Sequence, residues 1–254
     1  DSIYVSQISE SAVTALSLAF PVQNLQIGFA VGIGVGVNSL LSKSLGEKNQ
    51  EAANLTAGNG MVLMFIVTAF FMLFGIFGVR PYYEMQSTVT ETVEGGIVYS
   101  RICCLMTLGI FMEILGERLL QATGRTVHTM ITQSTGAIIN IILDPILIHG
   151  WLGLPAMGVQ GAALATVLSQ LVSAVWVVRF LTGSKTLLRI RRETLRIDPK
   201  IYLPCVALGA APFVMQFTES ILSVSFNSSL LRYGGDLAVG AQTILTSVMQ
   251  FSLM

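Results

Sequence analysis

The sequence has little charge for its length. Only 11% of its 254 residues are Asp, Glu, Lys or Arg, whereas soluble domains carry about 25%. The few charges also leave five long uncharged stretches, at residues 11–42, 52–79, 145–178, 201–218 and 237–254. About 20 consecutive apolar residues are enough to span a bilayer as a helix. The deficit therefore excludes an ordinary soluble domain and predicts an integral membrane protein.

Cysteine and histidine are scarce too, and their scarcity excludes several kinds of site. Cys103, Cys104 and Cys205 lie in apolar surroundings without metal-site spacing, which favours buried packing over a redox pair. Two scattered histidines do not form the cluster that a membrane-embedded enzyme would need. No P-loop is present, and a net charge of +0 indicates no nucleic-acid partner. We therefore expect no enzyme and no cofactor.

The apolar stretches predict an all-α polytopic membrane protein. They favour the end of one helix at 1–9, long helices near 11–44, 52–80, 95–123, 126–149, 157–182 and 201–231, and the start of another from 237. Eleven of the 14 basic residues lie in the loops after the second, fourth and sixth of these helices. Because cytoplasmic loops are enriched in Lys and Arg, these loops are predicted to be cytoplasmic, which agrees with seven alternating crossings.

Asp144 is the residue of the fifth span with the highest free-energy cost of insertion into a membrane. An ionisable side chain costs about 2.5–3.5 kcal/mol at the centre of a bilayer, so each one needs a reason. Asn140 precedes Asp144 by one helical turn, and Pro145 follows it directly. Pro145 leaves the Ile141 carbonyl without its helical partner and predicts a bend. A carboxylate, an amide and a freed carbonyl suit a proton or Na⁺; the alternative is a paired structural carboxylate between helices.

A second polar cluster lies in the seventh span around Glu219. Gln216, Ser223 and Asn227 share the helical face of Glu219, and Pro212 predicts a bend before it. This pattern is consistent with a buried acid at a transport site and equally with a polar cluster that packs helices.

Amides elsewhere extend the candidate cavity. Pro21 predicts a bend in the second span, and Asn24 follows it closely, an arrangement that lines cavities more often than it faces lipid. Gln133 continues the polar stripe of Asn140 along the fifth span. We therefore assign four amides to a substrate cavity: Asn24, Gln133, Gln216 and Asn227.

Glycine recurs on one face of the second span. Gly28, Gly32 and Gly36 are spaced four residues apart within the run "GFAVGIGVG". Such spacing predicts a bare helix face that another helix can approach closely.

The fourth span carries two acids, Glu113 and Glu117, one turn apart near its predicted cytoplasmic end. Arg118 adjoins them in the sequence. We interpret the group as local ion pairs, which contribute little to stability.

Four stretches resemble the multidrug and toxic compound extrusion (MATE) family of transporters. They are "SAVTALSLAFP", "GIGVGVNSLLSKSLGEKNQEAA", "NIILDPILIHGWLGLPAMGVQGAALATVLSQ" and "RYGGDLAVGAQ". The resemblance implies twelve helices in two six-helix lobes around a central cavity. The chain would then be a piece of a longer protein, with residues 1–182 in the N-terminal lobe, 183–200 as a basic cytoplasmic connector, and 201–254 at the start of the C-terminal lobe.

The resemblance also implies a cation site in the N-terminal lobe. The positions that match it here are Asp1, Asn140, Asp144, Tyr99 and Thr166. Glu219 resembles the acid of the C-terminal lobe in other branches, although its spacing from Pro212 differs by one residue. No metal is expected beyond a Na⁺ held by Asp1, Asn140 and Asp144.

The function implied is export of organic, often cationic, solutes in exchange for H⁺ or Na⁺, by alternating access. Small organic cations and membrane lipids are then the expected partners of a monomer in the cell (plasma or inner) membrane. The alternative is a flippase for a lipid-linked oligosaccharide on a related scaffold. Binding of pyrophosphate would require a more cationic cavity than the acids and amides of these spans provide.

Overall fold

The computed structural model describes residues 2–5, 8–151, 155–183, 188, 194–195 and 198–253. Regular structure within these residues is helical throughout, which confirms the all-α prediction. In chain order the helices are α1 (Ser2–Val5), α2 (Glu10–Gly46), α3 (Gln50–Phe77), α4 (Val79–Gln86), α5 (Thr90–Leu105), α6 (Leu108–Ala122), α7 (Thr126–His149), α8 (Val159–Leu181) and α9 (Pro199–Leu253).

Polar side chains determine where the first two long helices begin. Ser9 Oγ accepts a hydrogen bond from the Ala12 amide at 3.1 Å before α2. Asn49 Oδ1 accepts one from the Ala52 amide at 3.0 Å before α3. These caps satisfy amides that have no partner within the helix. Lys48 takes a φ of 55°, so the chain reverses direction in the predicted turn between the two helices.

The predicted fourth span is two helices, not one. α5 and α6 meet at an angle of 48°, whereas the sequence predicts a continuous helix over 95–123. The Thr107 hydroxyl lies 3.0 Å from the Cys103 carbonyl oxygen and 2.7 Å from that of Cys104. A threonine that bonds the carbonyls of the preceding turn bends its helix. Gln26 of α2 donates to the same hydroxyl at 3.0 Å, so a tertiary contact holds the bend.

α9 is interrupted at Gly235, inside the turn that the sequence predicts near residues 233–236. The backbone there has φ 67° and ψ −171°, a conformation that favours glycine because other residues would clash through their Cβ atoms. Helical turns continue on both sides. Pro199–Gly235 therefore forms one span, and the following residues begin another helix.

Among the described residues, five helices are long and apolar enough to cross a membrane: α2, α3, α7, α8 and the first part of α9. The bent pair α5 and α6 adds a sixth. These correspond to the second to seventh predicted crossings. α3 exposes large apolar side chains along its outer face, including Phe65, Ile66, Phe70, Leu73 and Phe77. Such a surface can face lipid, because the side chains are apolar and the backbone N–H and C=O groups are hydrogen-bonded within the helix.

α2 runs through the bundle and contacts α3, α5, α6 and α9. The largest core cluster joins side chains of five helices, among them Val37, Leu41, Met64, Phe71, Phe111, Leu115, Val177 and Cys205. The three cysteines are free and buried, which confirms their assignment to packing.

The segment between α8 and α9 packs against α3. The Asp198 amide donates to Asn59 Oδ1 at 2.9 Å, and a Cβ at Gly58 would overlap the Thr194 carbonyl oxygen. Leu188 is buried in the core cluster. The described part of this basic segment is therefore held on the bundle. The division into 1–182, 183–200 and 201–254 stays a prediction.

Candidate functional site

A cavity of about 340 Å³ lies between α2 and α9. Its wall combines apolar side chains with hydroxyl, amide and carboxylate groups, from Ser17, Phe20, Asn24, Glu219, Leu222, Ser223, Phe226, Asn227, Gln242 and Thr246. Protein sites for small molecules have this composition, with apolar surface and a few polar groups that orient the ligand.

Among the described residues that line this cavity, Glu219 supplies the only formal charge. The Glu219 side chain is exposed, whereas the Asn227 side chain on the same helix is buried, with 7% of its surface accessible. The rings of Phe20 and Phe226 also line the space, and aromatic faces attract cations. A carboxylate beside aromatic rings can bind an organic cation. The structure thus brings Asn24, Glu219 and Asn227 together, although they lie on helices far apart in the sequence.

Two amides that the sequence assigns to this cavity lie elsewhere. Gln216 lies opposite Gly28, where a Cβ on the glycine would be 2.9 Å from Gln216 Cβ. Gln133 donates through Nε2 to Glu117 Oε2 at 3.1 Å, on α6. The polar stripe of α7 faces α6 and α8 and not α9, so the geometry separates Gln133 from the cavity.

The glycines of α2 bring α9 into backbone contact beside the cavity. A Cβ at Gly36 would overlap the Cys205 carbonyl oxygen, and one at Gly209 would overlap the Gly32 carbonyl oxygen. Small residues permit such an approach of two helices. Because α2 runs toward its predicted cytoplasmic end at Gly46, this contact is predicted to lie on the cytoplasmic side of the cavity.

Tyr99 joins α2, α5 and α8 through hydrogen bonds inside the bundle. Its side chain is 2% exposed. Gln23 Nε2 donates to Tyr99 Oη at 3.1 Å, and the Thr166 hydroxyl is a second hydrogen-bond partner of the phenol. Thr166 also donates to the Ala162 carbonyl at 3.0 Å. Two of the residues matched to the cation site are therefore in direct contact.

Asp144 is 1% exposed in α7. Pro145 lies inside α7, and the helix continues beyond this proline to His149. One turn further on, Ile148 packs in a buried cluster with Tyr99 and Ala163. The carboxyl group therefore lies on the part of α7 that packs into the lobe, near the Tyr99 cluster.

Asn140 lines a groove of about 300 Å³ between α6, α7 and α8, and Thr166 lines it too. Thr166 thus connects this groove to Tyr99. Carboxylate, amide and hydroxyl oxygens in this region can bind a proton or Na⁺, and ionisable groups at membrane depth mark such pathways. Asp1, the remaining predicted member, lies outside the described residues.

Gln23 contacts a different site from its neighbour Asn24, and the sequence pattern did not show this difference. Gln23 and Asn24 follow Pro21 together, and the sequence assigns Asn24 alone to a site. Successive residues of a helix point about 100° apart, so Gln23 faces Tyr99 while Asn24 faces α9. The adjacent amides were the only signal of two sites on one helix.

The MatE family model matches residues 1–146 of the chain. Over 246 residues, the chain is 26% identical to "Probable multidrug resistance protein YoeA" of Bacillus subtilis (strain 168), a match that covers 96% of this chain and 53% of that protein. Over 176 residues, it is 30% identical to the FAD transporter of Shewanella oneidensis, covering 68% of this chain and 38% of that protein.

A solved structure of the MATE multidrug transporter DinF-BH has the same fold as this chain. The TM-score is 0.92 at 26% identity, and the match covers 99% of this chain and 56% of that one. The chain thus spans about half the length of the curated relatives and solved structures that it matches.

Proposed function

The chain belongs to the MatE family of multi-pass membrane transporters, and from this premise we propose that the full-length protein exports small organic cations in exchange for H⁺ or Na⁺. The observation that carries the proposal is the α2–α9 cavity, where Glu219 is the only formal charge among the described lining residues and aromatic rings form part of the wall. The protein would act as a monomer in the cell membrane, in contact with its lipids.

The coupling cation is proposed to bind in the N-terminal lobe, apart from the organic solute. Asp144 supplies the charge, Asn140 and Thr166 supply neutral oxygen atoms, and Tyr99 positions Thr166 through their hydrogen bond. Asp1 is the proposed second carboxylate. A carboxylate buried at membrane depth is costly when ionised, so it favours occupancy by a cation.

Alternating access follows from the separation of the two sites. A cation that enters from outside would favour the state in which the α2–α9 cavity releases its solute to the exterior. The close backbone contact between Gly36 and Cys205 would close the cytoplasmic side of the cavity. Opening of that contact would re-expose the cavity to the cytoplasm, and the cation would leave there.

The available driving force is sufficient for concentrative export. A membrane potential of ~100 mV is worth ~2.3 kcal/mol per elementary charge, and one pH unit adds ~1.4 kcal/mol. One proton could therefore sustain a solute gradient of a few hundredfold. No ATP is required.

Two alternatives place phosphate groups in the cavity. A lipid-linked oligosaccharide carries pyrophosphate, and one relative of this chain is an FAD transporter. Phosphate recognition uses Arg or Lys, but no basic residue is among the described residues that line the cavity. This composition favours an organic cation over either phosphate-bearing substrate.

The proposed function is tested by reconstitution of the full-length protein into liposomes. A fluorescent organic cation should move against its gradient when either a proton gradient or a Na⁺ gradient is imposed in the opposite direction. Testing each gradient without the other identifies the coupling ion. Transport that ignores both gradients would contradict the coupling, and transport of only anionic substrates would contradict the substrate class.

Substitution Glu219→Gln is expected to weaken the binding of a monovalent organic cation about tenfold, or ~1.4 kcal/mol, because it removes the only formal charge among the described residues of the cavity wall. An uncharged dye of similar shape should bind unchanged. The matched control is Glu91→Gln, the same chemical change at an exposed position of α5 outside the cavity. Fluorescence titration of the purified protein measures both affinities, and equal losses for the two dyes would contradict a charge effect.

A further inference from the structure

The acids Glu113 and Glu117 of α6 are not the local ion pairs that the sequence predicts. Glu117 is 8% exposed and Glu113 is half-buried. In the described part of the chain, neither carboxylate lies within 4 Å of a Lys, Arg or His nitrogen. Arg118, the residue expected to pair with them, instead donates from Nη1 to Gln121 Oε1 at 2.9 Å. Neither carboxylate therefore forms an ion pair with a described basic side chain, although the charge of Arg118 acts on Glu117 from a longer distance.

Among the described residues, the hydrogen-bond partners of the pair are neutral groups. Gln133 donates to Glu117 Oε2 at 3.1 Å, while the other oxygen, Oε1, is buried and has no hydrogen-bond partner among the described residues. The Ser173 hydroxyl lies between the Thr132 carbonyl, at 3.4 Å, and the Glu113 carboxylate. One buried carboxylate oxygen is thus left for a further ligand.

Glycine brings the backbone of α7 close to the first acid. A Cβ at Gly136 would lie 3.4 Å from Glu113 Oε1 and 2.6 Å from Ser173 Oγ. The absence of a side chain there leaves room beside the carboxylate, which lines the same groove of about 300 Å³ as Asn140 and Thr166. The groove therefore connects Glu113 with two residues of the proposed cation site.

The order of residues along α7 indicates which end of the groove lies nearer the predicted cytoplasmic side. The helix runs from its predicted cytoplasmic end toward the exterior, with Gln133 and Gly136 before Asn140 and Asp144. Gln133 contacts Glu117, and Gly136 lies beside Glu113. The acid pair consequently lies on the cytoplasmic side of Asp144.

On the helices packed against α6, no other described basic side chain lies within 4 Å of either carboxylate. His128 of α7 lies against Phe180, with ring centroids 4.4 Å apart, and Lys43 of α2 is 3.9 Å from Glu47. The remainder are Asp144, described above, Arg125, whose guanidinium lies over the Phe180 ring, and groups at helix ends, namely Glu10, Glu51, His149 and Arg179.

Arg118 supplies one positive charge near two neighbouring carboxylates, and the second carboxylate is costly to keep ionised in a membrane bundle without a further compensating charge. We propose that Glu113 and Glu117 form a second cation-binding site, which holds one monovalent cation, a proton or Na⁺, between Asp144 and the cytoplasm. This inference rests on the proposed cation-coupled transport. The second site provides the cation released from Asp144 with a position to occupy before it reaches the cytoplasm.

The test counts bound cations in the purified full-length protein. Binding of radioactive Na⁺ measures the Na⁺ sites, and the infrared band of protonated carboxyl groups, followed as pH is varied, measures bound protons. The variants are Asp144→Asn, the double variant Glu113→Gln/Glu117→Gln, and the triple variant. Glutamine keeps the size and hydrogen-bonding capacity of these acids, and thermal unfolding verifies the fold. The matched control is Glu51→Gln, at an exposed position of α3.

The double variant is expected to bind one cation fewer per chain than the wild type, while Asp144→Asn keeps the cation of the acid pair. Only the triple variant should lose both. An unchanged cation count in the double variant would overturn the second site, as would loss of organic-cation binding alone, which would make the acids part of a substrate site. Failure of the proposed function has a different signature, namely transport that does not depend on either ion gradient.

Discussion

Replacement of Asp144 by asparagine in the full-length protein is expected to reduce cation-driven export to the level of liposomes without protein. The carboxylate is 1% exposed in α7, and it is the only acid of the proposed coupling site within the described residues. Asparagine keeps the size of the side chain and removes its charge, so the site loses its attraction for H⁺ or Na⁺. Efflux of a fluorescent organic cation, driven in turn by each gradient, provides the measurement.

Substrate binding separates lost coupling from lost folding in this variant. The α2–α9 cavity does not include Asp144, so the affinity for the organic cation should stay near that of the wild type. Asn140→Ala, which removes a neutral oxygen ligand from the same region, should weaken cation binding without abolishing transport. If Asp144→Asn exports the dye at the rate of the wild type, the assignment of the coupling site is wrong.

Substitution Gly36→Leu is expected to stop transport by preventing the close contact between α2 and α9. A Cβ at this position would already overlap the Cys205 carbonyl oxygen, and backbone atoms cannot move aside as a flexible side chain can. The helices would have to separate on the cytoplasmic side of the cavity. We expect a loss of transport of at least about tenfold, equivalent to ~1.4 kcal/mol, measured as the initial rate in liposomes.

Gly46 provides the matched control for this substitution. It ends the same helix, and a Cβ there meets nothing within 4 Å, so Gly46→Leu should transport at the wild-type rate. The Gly36→Leu protein should still bind the organic cation, because the residues that line the cavity are unchanged. Transport at the wild-type rate by Gly36→Leu would show that the cycle does not need this contact.

The helical spans, their order and the turns between them could be predicted from the sequence. Whether a stretch is uncharged depends only on the residues of that stretch. The helix boundaries at Asn49 and Gly235 are local too, because an N-cap or a positive φ depends on the residue itself. The bend between α5 and α6 could not be predicted, because it depends on Thr107 and on its contact with Gln26 of another helix.

The residues of the candidate sites were less evenly predictable. Asp144 and Glu219 were found because a carboxyl group in an apolar run is conspicuous in any fold. The partners of polar groups were not found: Glu117 pairs with Gln133 and not with Arg118, and Gln23 contacts Tyr99. These pairings depend on which face each helix presents to its neighbours.

By itself, the sequence determined that this is an all-α membrane protein with acids placed at membrane depth, because the free energy of inserting each residue in a bilayer depends mainly on that residue. Only the tertiary structure decided that Asn24, Glu219 and Asn227 share one cavity, and that Glu113 opens onto the groove of Asn140. Those associations arise when helices distant in the chain pack together, and the rotation of each helix about its axis is set by contacts along its whole length.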